Sequence, residues 1–268
     1  MLVIGVVHLL PLPGSYGWGG DFDAVIERAV KDAKALEKGG VDAIIIENFM
    51  DYPFPIRVDY VTVAAATRVV TEVVRSLELS AGVSLLRNSA PEAIAVALAS
   101  GAKFVRSNQW CWTSDAPEGL LTPVAREGLE VMRRWGAKVG VVADVRVKHA
   151  APISGRDLCD EARDLGGRCR ADALAVSGAA TGSEADPRQL EVVKTCTPKP
   201  VLVASGITPE NVVRFASADG VIVGTYFKEG GVTENPVDVH RVRKLVDAAK
   251  RLGSGEREEV LRRALGIS

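Results

Sequence analysis

Eight times along this chain a short apolar run, rich in Val and Ile, is followed by a segment of helical period. The runs begin near Leu2 (LVIGVVH), Val41 (VDAIIIE), Ala81 (AGVSLLR) and Lys103 (KFVRSN). Four more begin near Lys138 (KVGVVADVRV), Asp172 (DALAVS), Pro200 (PVLVAS) and Asp219 (DGVIVG). A run that is apolar throughout has no solvent face, as in parallel strands covered by helices. Helical patterns such as FDAVIERAVKDAKALEKGG and DYVTVAAATRVVTEVVRSL lie between the runs. Gly39-Gly40 is a helix stop, and Pro91 and Gly101 bracket a later helix. Thr208 and Pro209 are expected to open another over TPENVVRFASA. Eight such units without a break in composition predict an α/β fold, a single (β/α)8 TIM barrel over residues 1–252, with a short helical tail over 253–268. The length of 268 residues suits it, since such barrels need about 250. An open doubly wound sheet is the alternative. It carries GxGxxG after its first strand, and HLLPLPGSYGWGG does not fit.

Composition narrows the partners. The formal net charge is −1, so there is no overall basic field for nucleic acid or anionic lipid. No apolar stretch reaches the roughly 18 residues of a membrane span. The apolar start, MLVIGVVHLLPLPG, lacks a basic leader region and reads as a buried strand, which predicts a cytoplasmic protein. Cys111, Cys159, Cys169 and Cys196 form no CxxC pair and no zinc motif, so reduced thiols are expected. A Cys159–Cys169 bridge stays open for a hyperthermophilic source. The charged tail RLGSGEREEVLRRALG reads as a solvated amphipathic helix.

In a barrel all strand C-termini open on one face, where active sites sit. After the seventh run come Ser205, Gly206, Ile207 and Thr208; after the eighth come Gly224 and Thr225. Glycine lets backbone N–H groups approach an anion, and the hydroxyls can donate further bonds. Ser177 and Gly178 open a third small-residue loop, SGAATGSEADP. Tight turns also need glycine. Two consecutive loops of this kind, where barrels favour phosphate, predict that Ser177, Gly178, Ser205, Gly206, Ile207, Gly224 and Thr225 bind a phosphate group.

The other runs end in polar residues. These are His8; Glu47 and Asn48; Arg87 and Asn88; Arg106 and Asn108; then Asp144, Arg146 and Lys148, followed by His149. Side chains two apart on a strand share a face, so Asp144, Arg146 and Lys148 are expected to point one way, Asp144 deepest. Singly each has a structural reading. His8 could be a satisfied core group, Glu47 a partner of Arg87, and Asp144 a counter-charge to Lys148 or Arg106. Together, polar ends on five successive strands predict a ligand site, since unpaired burial of such groups is costly. His8, Glu47, Asp144, Lys148 and His149 are the catalytic candidates. Lys148 could act as a base or imine-forming amine, Asp144 as its relay partner, and Glu47 and His8 as general acid and base. Asn48, Arg87, Asn88, Arg106, Asn108 and Arg146 are the substrate-binding candidates. No cofactor is specified. A divalent metal between Glu47 and Asp144 stays open, with no spacing that demands it.

Two loops are long. ENFMDYPFPIRVD suits a rigid flap over the barrel mouth. In SNQWCWTSDAPEGL, Trp110 and Trp112 could stack on a base or sugar, or anchor the loop, or form a subunit contact. With Phe54 they offer apolar surface, which predicts a homo-oligomer.

Taken in order, several motifs resemble one family. They are IGVVHLLPLPGS, GGVDAIIIENFMDYPF, GVSLLRNSA, ADVRVKHAAP, ASGITPENV and DGVIVGTYFKEGGVTENPVD. The chain resembles the BtpA family along nearly its whole length, excepting the tail past about Leu252. The resemblance implies a (β/α)8 barrel and a role in stable accumulation of photosystem I in cyanobacteria, although members occur far outside photosynthetic organisms. His8, Glu47, Asn48, Arg87, Asn88, Asp144, Lys148, His149, Gly206, Gly224 and Thr225 stand in the family's motifs. The chain departs from the pattern at Arg146, where ADVHVKHA is usual, and at SGAATG, where TGSATG is common. The expectation is an enzyme acting on a small phosphorylated metabolite, a sugar phosphate or nucleotide, by proton-transfer, isomerase or lyase chemistry. The alternative is a non-catalytic assembly factor of the photosystem I type.

Overall fold

The computed structural model describes residues 1–178, 183–253, 255 and 257–267. All eight expected strands form, and they close into one parallel barrel in sequence order. They are β1 (Leu2–His8), β2 (Ala43–Glu47), β3 (Ser80–Ser84), β4 (Phe104–Ser107), β5 (Gly140–Asp144), β6 (Ala173–Ser177), β7 (Val201–Ala204) and β8 (Gly220–Val223). Outside them run α1 (Phe22–Gly39), α2 (Tyr60–Arg75), α3 (Ala90–Ser100), α4 (Ala125–Trp135), α5 (Leu158–Gly166), α6 (Pro187–Cys196) and α7 (Val239–Lys250). Aspartates open five of these. Asp21, Asp59, Asp157, Asp186 and Asp238 each accept a first-turn N–H, which satisfies a donor the helix cannot. Gly40 and Gly101 close α1 and α3 in the left-handed region, as expected.

Period two decides what each strand sends inward. Leu2, Ile4 and Val6 of β1 point into the barrel with Ala43 and Ile45 of β2 and Phe104 of β4. The alternate residues, such as Val3, Val7, Ile44 and Ile46, pack under the helices. His8 ends β1 in the inward phase, two residues beyond Val6, and pairs in register with Glu47.

Four local expectations are corrected. No α-helix covers TPENVVRFASA; one 3-10 stretch, Val212–Phe215, fills that place. Asn211 turns back on Thr208, its Oδ1 accepting from the Thr208 N–H at 2.8 Å, so the chain forms a side-chain turn where an α-helix would start. The tail is not a solvated appendage. Its helix α8 (Glu258–Leu265) buries Leu261 and Leu265 among the inward residues at the N-terminal end of the barrel. The cysteines are not four free thiols, nor is Cys159 joined to Cys169. Disulfides link Cys111 to Cys169 and Cys159 to Cys196, with Cα–Cα separations of 6.3 and 5.3 Å. Finally, Trp110 offers no surface. It is fully buried, its indole N–H donating to the Cys169 carbonyl at 2.7 Å. A small antiparallel sheet of Ser114–Ala116, Gly119–Leu121 and Ala151–Pro152, absent from the sequence reading, ties the loop after β4 to the loop after β5.

Candidate functional site

The C-terminal end of the barrel holds two adjoining cavities of about 230 and 210 Å3. Glu47, Phe49, Arg106 and Lys148 line both, so they form the junction of one two-lobed site.

The floor is a closed network. The Arg106 guanidinium donates to both Asp144 oxygens at 3.1 Å, and the Asn108 amide donates to Asp144 Oδ2 at 3.0 Å. Arg106 also reaches Ser177 Oγ at 3.4 Å. Both charged side chains are buried. Two parallel bonds from a planar guanidinium fix geometry as well as charge. Asp144 is therefore bonded to Arg106 and acts on Lys148 only through longer-range attraction.

Above the floor the groups are uncommitted. Among the described residues neither Lys148 Nζ nor the Glu47 carboxylate has a hydrogen bond, and the one ion-pair contact is from Glu47 to His8 Nε2 at 3.9 Å. The His8 ring stacks on Phe49 with centroids 4.7 Å apart, and its Nδ1 is buried without a partner. Burial, then the Lys228 ammonium, holds the His8 imidazole well below its ordinary value, so it is neutral. Burial, then the Arg106 cation, lowers the Lys148 ammonium to about 8. Lys228 is itself fully buried, paired with Asp32 at 3.4 Å.

The first lobe opens onto the loops after β7 and β8. Ser205, Gly206, Ile207 and Thr208 line one side, Gly224 and Thr225 another. Gly206 has φ +64°, a conformation open to glycine at little cost. Its carbonyl accepts from the Asn211 amide at 2.8 Å. A Cβ on Gly224 would lie 2.8 Å from the His8 ring, so glycine is what lets the two meet. Ser205 Oγ is buried without a partner among the described residues, while the Thr225 and Thr233 hydroxyls lie 2.9 Å apart. Sequence reasoning missed Arg241, a third cation of this lobe beside Arg106 and Lys148. It comes from the first turn of α7, donates to the Tyr226 carbonyl at 2.6 Å and stacks on the Tyr226 ring. A basic residue just inside the helix after the eighth strand was the available signal.

The second lobe is walled by Tyr52, Phe54, Arg87 and His149, with the first two from the expected flap. Arg87 donates to the Lys148 carbonyl at 2.7 Å and lies 3.4 Å from Glu118. His149 is exposed at the rim.

Several candidates stand elsewhere. β5 ends at Asp144, so Arg146 does not continue its face. Arg146 instead turns to α5 and pairs with Glu161 at 2.8 Å. Asn48 braces two loops, donating to Asp51 and accepting the Leu86 N–H. Asn88 donates to the Thr122 carbonyl. Trp112 lies under Arg156, with the cation 4.2 Å from its ring. Gly178 is buried where the described chain pauses. Residues 179–182 of that loop lie outside the described residues, and with them Ala179, one of the two departures from TGSATG; the other, Ser177, ends β6. No group of three or more His, Cys, Asp or Glu residues able to hold a metal occurs among the described residues, and both oxygens of Asp144 are already bonded.

Fold and site together define the class: a (β/α)8 barrel with a polar site at its strand C-termini. The chain belongs to the BtpA family, which it matches over residues 1–251. It is 45% identical over 250 residues to an uncharacterised protein of Archaeoglobus fulgidus, covering 92% of this chain and 98% of that one. It is 41% identical over 249 residues to the photosystem I biogenesis protein BtpA of Synechocystis, covering 92% and 87%. Among solved structures it is similar to phosphoribosyl anthranilate isomerase of Thermus thermophilus, with TM-score 0.56 and 16% identity over 94% of this chain and 100% of that one. At that identity the likeness shows the barrel and nothing finer. Among the described residues no helix is long and apolar enough to cross a membrane.

Proposed function

We propose that this chain is a cytoplasmic enzyme acting on a small phosphorylated metabolite, a sugar phosphate or nucleotide, by proton-transfer chemistry of the isomerase or lyase kind. One observation carries the reading. A single cavity is bounded on one side by the Ser205–Thr208 and Gly224–Thr225 loops with Arg241, and on the other by neutral His8 with Glu47 and Lys148, neither of whose charged groups makes a hydrogen bond among the described residues. The phosphate would sit among the loop N–H groups, the hydroxyls and Arg241. Glu47 and His8, whose environments differ, would divide base and acid work. Arg87 and Asn108 would orient the rest of the substrate in the second lobe. Self-association is part of the proposal, and light scattering decides it.

The Synechocystis relative's name supports a second reading, an assembly factor that holds a partner protein. Unpaired buried groups converging in a cleft serve no purpose in that reading and cost stability. A thermal-shift screen with inorganic phosphate, sugar phosphates, nucleotides and divalent metals separates the two. A ligand that binds only the folded chain stabilises it by about 2.7 kcal/mol at a hundredfold excess over Kd. The expected result is a shift by a phosphorylated compound, abolished in Gly206→Asp and reduced in Arg241→Met. No shift from any phosphorylated compound at millimolar concentration would overturn the enzyme reading in favour of the assembly factor.

A further inference from the structure

We propose that Lys148 forms a covalent imine with the carbonyl carbon of a phosphorylated ketone or aldehyde, so that the substrate class is an open-chain phosphocarbonyl compound. This rests on the phosphate reading above and extends it to the reacting atoms.

Position comes first. Lys148 lies where the two lobes join, beside the place where a molecule anchored by its phosphate would put its next carbons. The loop end that carries it is pinned, because Arg87 Nη2 holds the Lys148 carbonyl at 2.7 Å. Among the described residues its amine makes no hydrogen bond and no ion pair within 4 Å. Of the two carboxylates that attract it, Glu47 makes no ion pair with it within 4 Å, and Asp144 is bonded to Arg106 and Asn108. A structural lysine in such a place would be paired, as Lys228 is with Asp32. The ammonium value of about 8 leaves about a tenth of the amine neutral at pH 7 and half at pH 8. A neutral amine in a partly desolvated site is the nucleophile that this chemistry requires.

The step balances without an oxidant or reductant. The Nζ lone pair attacks the carbonyl carbon, and the C=O π pair moves to oxygen. One Nζ proton passes to that oxygen, a second comes from solvent, and the carbinolamine then loses the oxygen as water and leaves a protonated C=N bond. The positive nitrogen draws electrons from the neighbouring carbon, so its C–H proton can pass to the Glu47 carboxylate. Reprotonation of the resulting enamine on the other carbon gives isomerisation. Where the substrate carries a β-hydroxyl, the same iminium can instead draw in the electron pair of the alpha–beta C–C bond as that hydroxyl loses its proton, which gives cleavage to a carbonyl fragment and an enamine. His8, held neutral, can accept or return a proton on the β1 side.

Reductive trapping tests this. The whole protein is incubated with dihydroxyacetone phosphate, glyceraldehyde 3-phosphate or ribose 5-phosphate and cyanoborohydride, then mapped by peptide mass spectrometry. The expected result is one adduct per chain, on Lys148, forming faster as pH rises through about 8. Unphosphorylated dihydroxyacetone should label this position about tenfold more slowly, since it lacks the anchoring group. Excess inorganic phosphate should slow the phosphorylated probes. Lys148→Arg should lose the adduct but keep its thermal shift with inorganic phosphate, which shows that the variant is folded and binding. Labelling at Lys148 no faster than at surface lysines, with the phosphate shift intact, overturns the imine and leaves the phosphate site standing. Absence of both phosphate shift and adduct overturns the phosphate reading itself.

Discussion

The two ends of the barrel interior are built from the same strands and do opposite things. On β1 the residues Leu2, Ile4, Val6 and His8 all face inward. The first three share one apolar cluster with Leu261 and Leu265 of α8, which plug its N-terminal end, while Val6 also borders the cavity that His8 lines with Glu47. The N-terminal end is dry, apolar and filled. The C-terminal end is polar and hollow, and only part of it is self-satisfied. Stability and chemistry are thus separated along one axis by the order of side chains within each strand. The polar end divides again. In the floor the Arg106 and Asp144 charges neutralise each other, with Asn108 adding a bond, whereas among the described residues Lys148 has no ion pair and Glu47 only the long contact to His8. If this division is right, substitutions in the three zones should differ in the size and sign of their effect on stability.

The floor should be the most sensitive. Arg106→Met leaves the Asp144 carboxylate buried without its counter-charge, which costs about 3–5 kcal/mol. The double variant Arg106→Met/Asp144→Leu removes both charges and should recover most of that loss, because a buried pair contributes little over a well-packed apolar pair. Urea unfolding of the single and double variants measures both. A loss below about 1 kcal/mol in Arg106→Met would mean that Asp144 is solvated, as in a surface pair, and that the floor is not closed.

The plug comes next. Leu261→Ala removes a fully buried side chain and should cost about 2–5 kcal/mol, depending on how far the barrel end collapses. Were α8 a solvated appendage, the same change would stay within about 0.5 kcal/mol. The urea midpoint distinguishes the two, and ligand-induced shifts at the far end should be unchanged.

How far the sequence foretold this follows the same axis. The eight strands were legible because β-branched runs need covering on both faces, and no other arrangement of eight βα units covers them so simply. His8, Glu47, Arg106 and Asp144 were legible because each ends a strand or lies in its inward phase, and period two then fixes the direction. Arg146 was misread by the same rule. The strand pattern runs on through VRV, yet the strand ends at Asp144 and its last cross-strand bond is from the Val145 N–H to the Ala175 carbonyl, so by Arg146 the period no longer applies. Arg241 was hidden in a helix pattern, since only the return of the chain after β8 brings α7 over the mouth. The tail looked solvated because its charges dominate the pattern, while its two leucines are enough to fill the barrel end. Cysteine pairing depends on which loops meet in space, and spacing carries no such information.

The smallest expected effect is also opposite in sign. Lys148 is held in its charged form against burial and the Arg106 cation, so its charge opposes folding at neutral pH. The sign follows from proton uptake. The unfolded chain binds a proton to this lysine up to about 10.5, the folded chain only up to about 8. Between those values the unfolded state holds more protons, so native stability rises with pH. Lys148→Met removes the opposing charge and should stabilise the protein at pH 7 by about 0.5–2 kcal/mol, the usual gain when a group kept for function is replaced. The gain should shrink as pH rises from about 8 towards 10.5, where the wild-type lysine also becomes neutral. His8 gives the complementary test at acid pH. Its folded value lies below the unfolded 6.5, so the stability it contributes is present above 6.5 and is lost as pH falls towards the folded value. Thermal melts of the wild type and Lys148→Met across pH 5 to 10 read both effects. A destabilised Lys148→Met at pH 7 would show that the lysine is paired in solution, and would remove the distinction between the closed floor and the uncommitted groups above it.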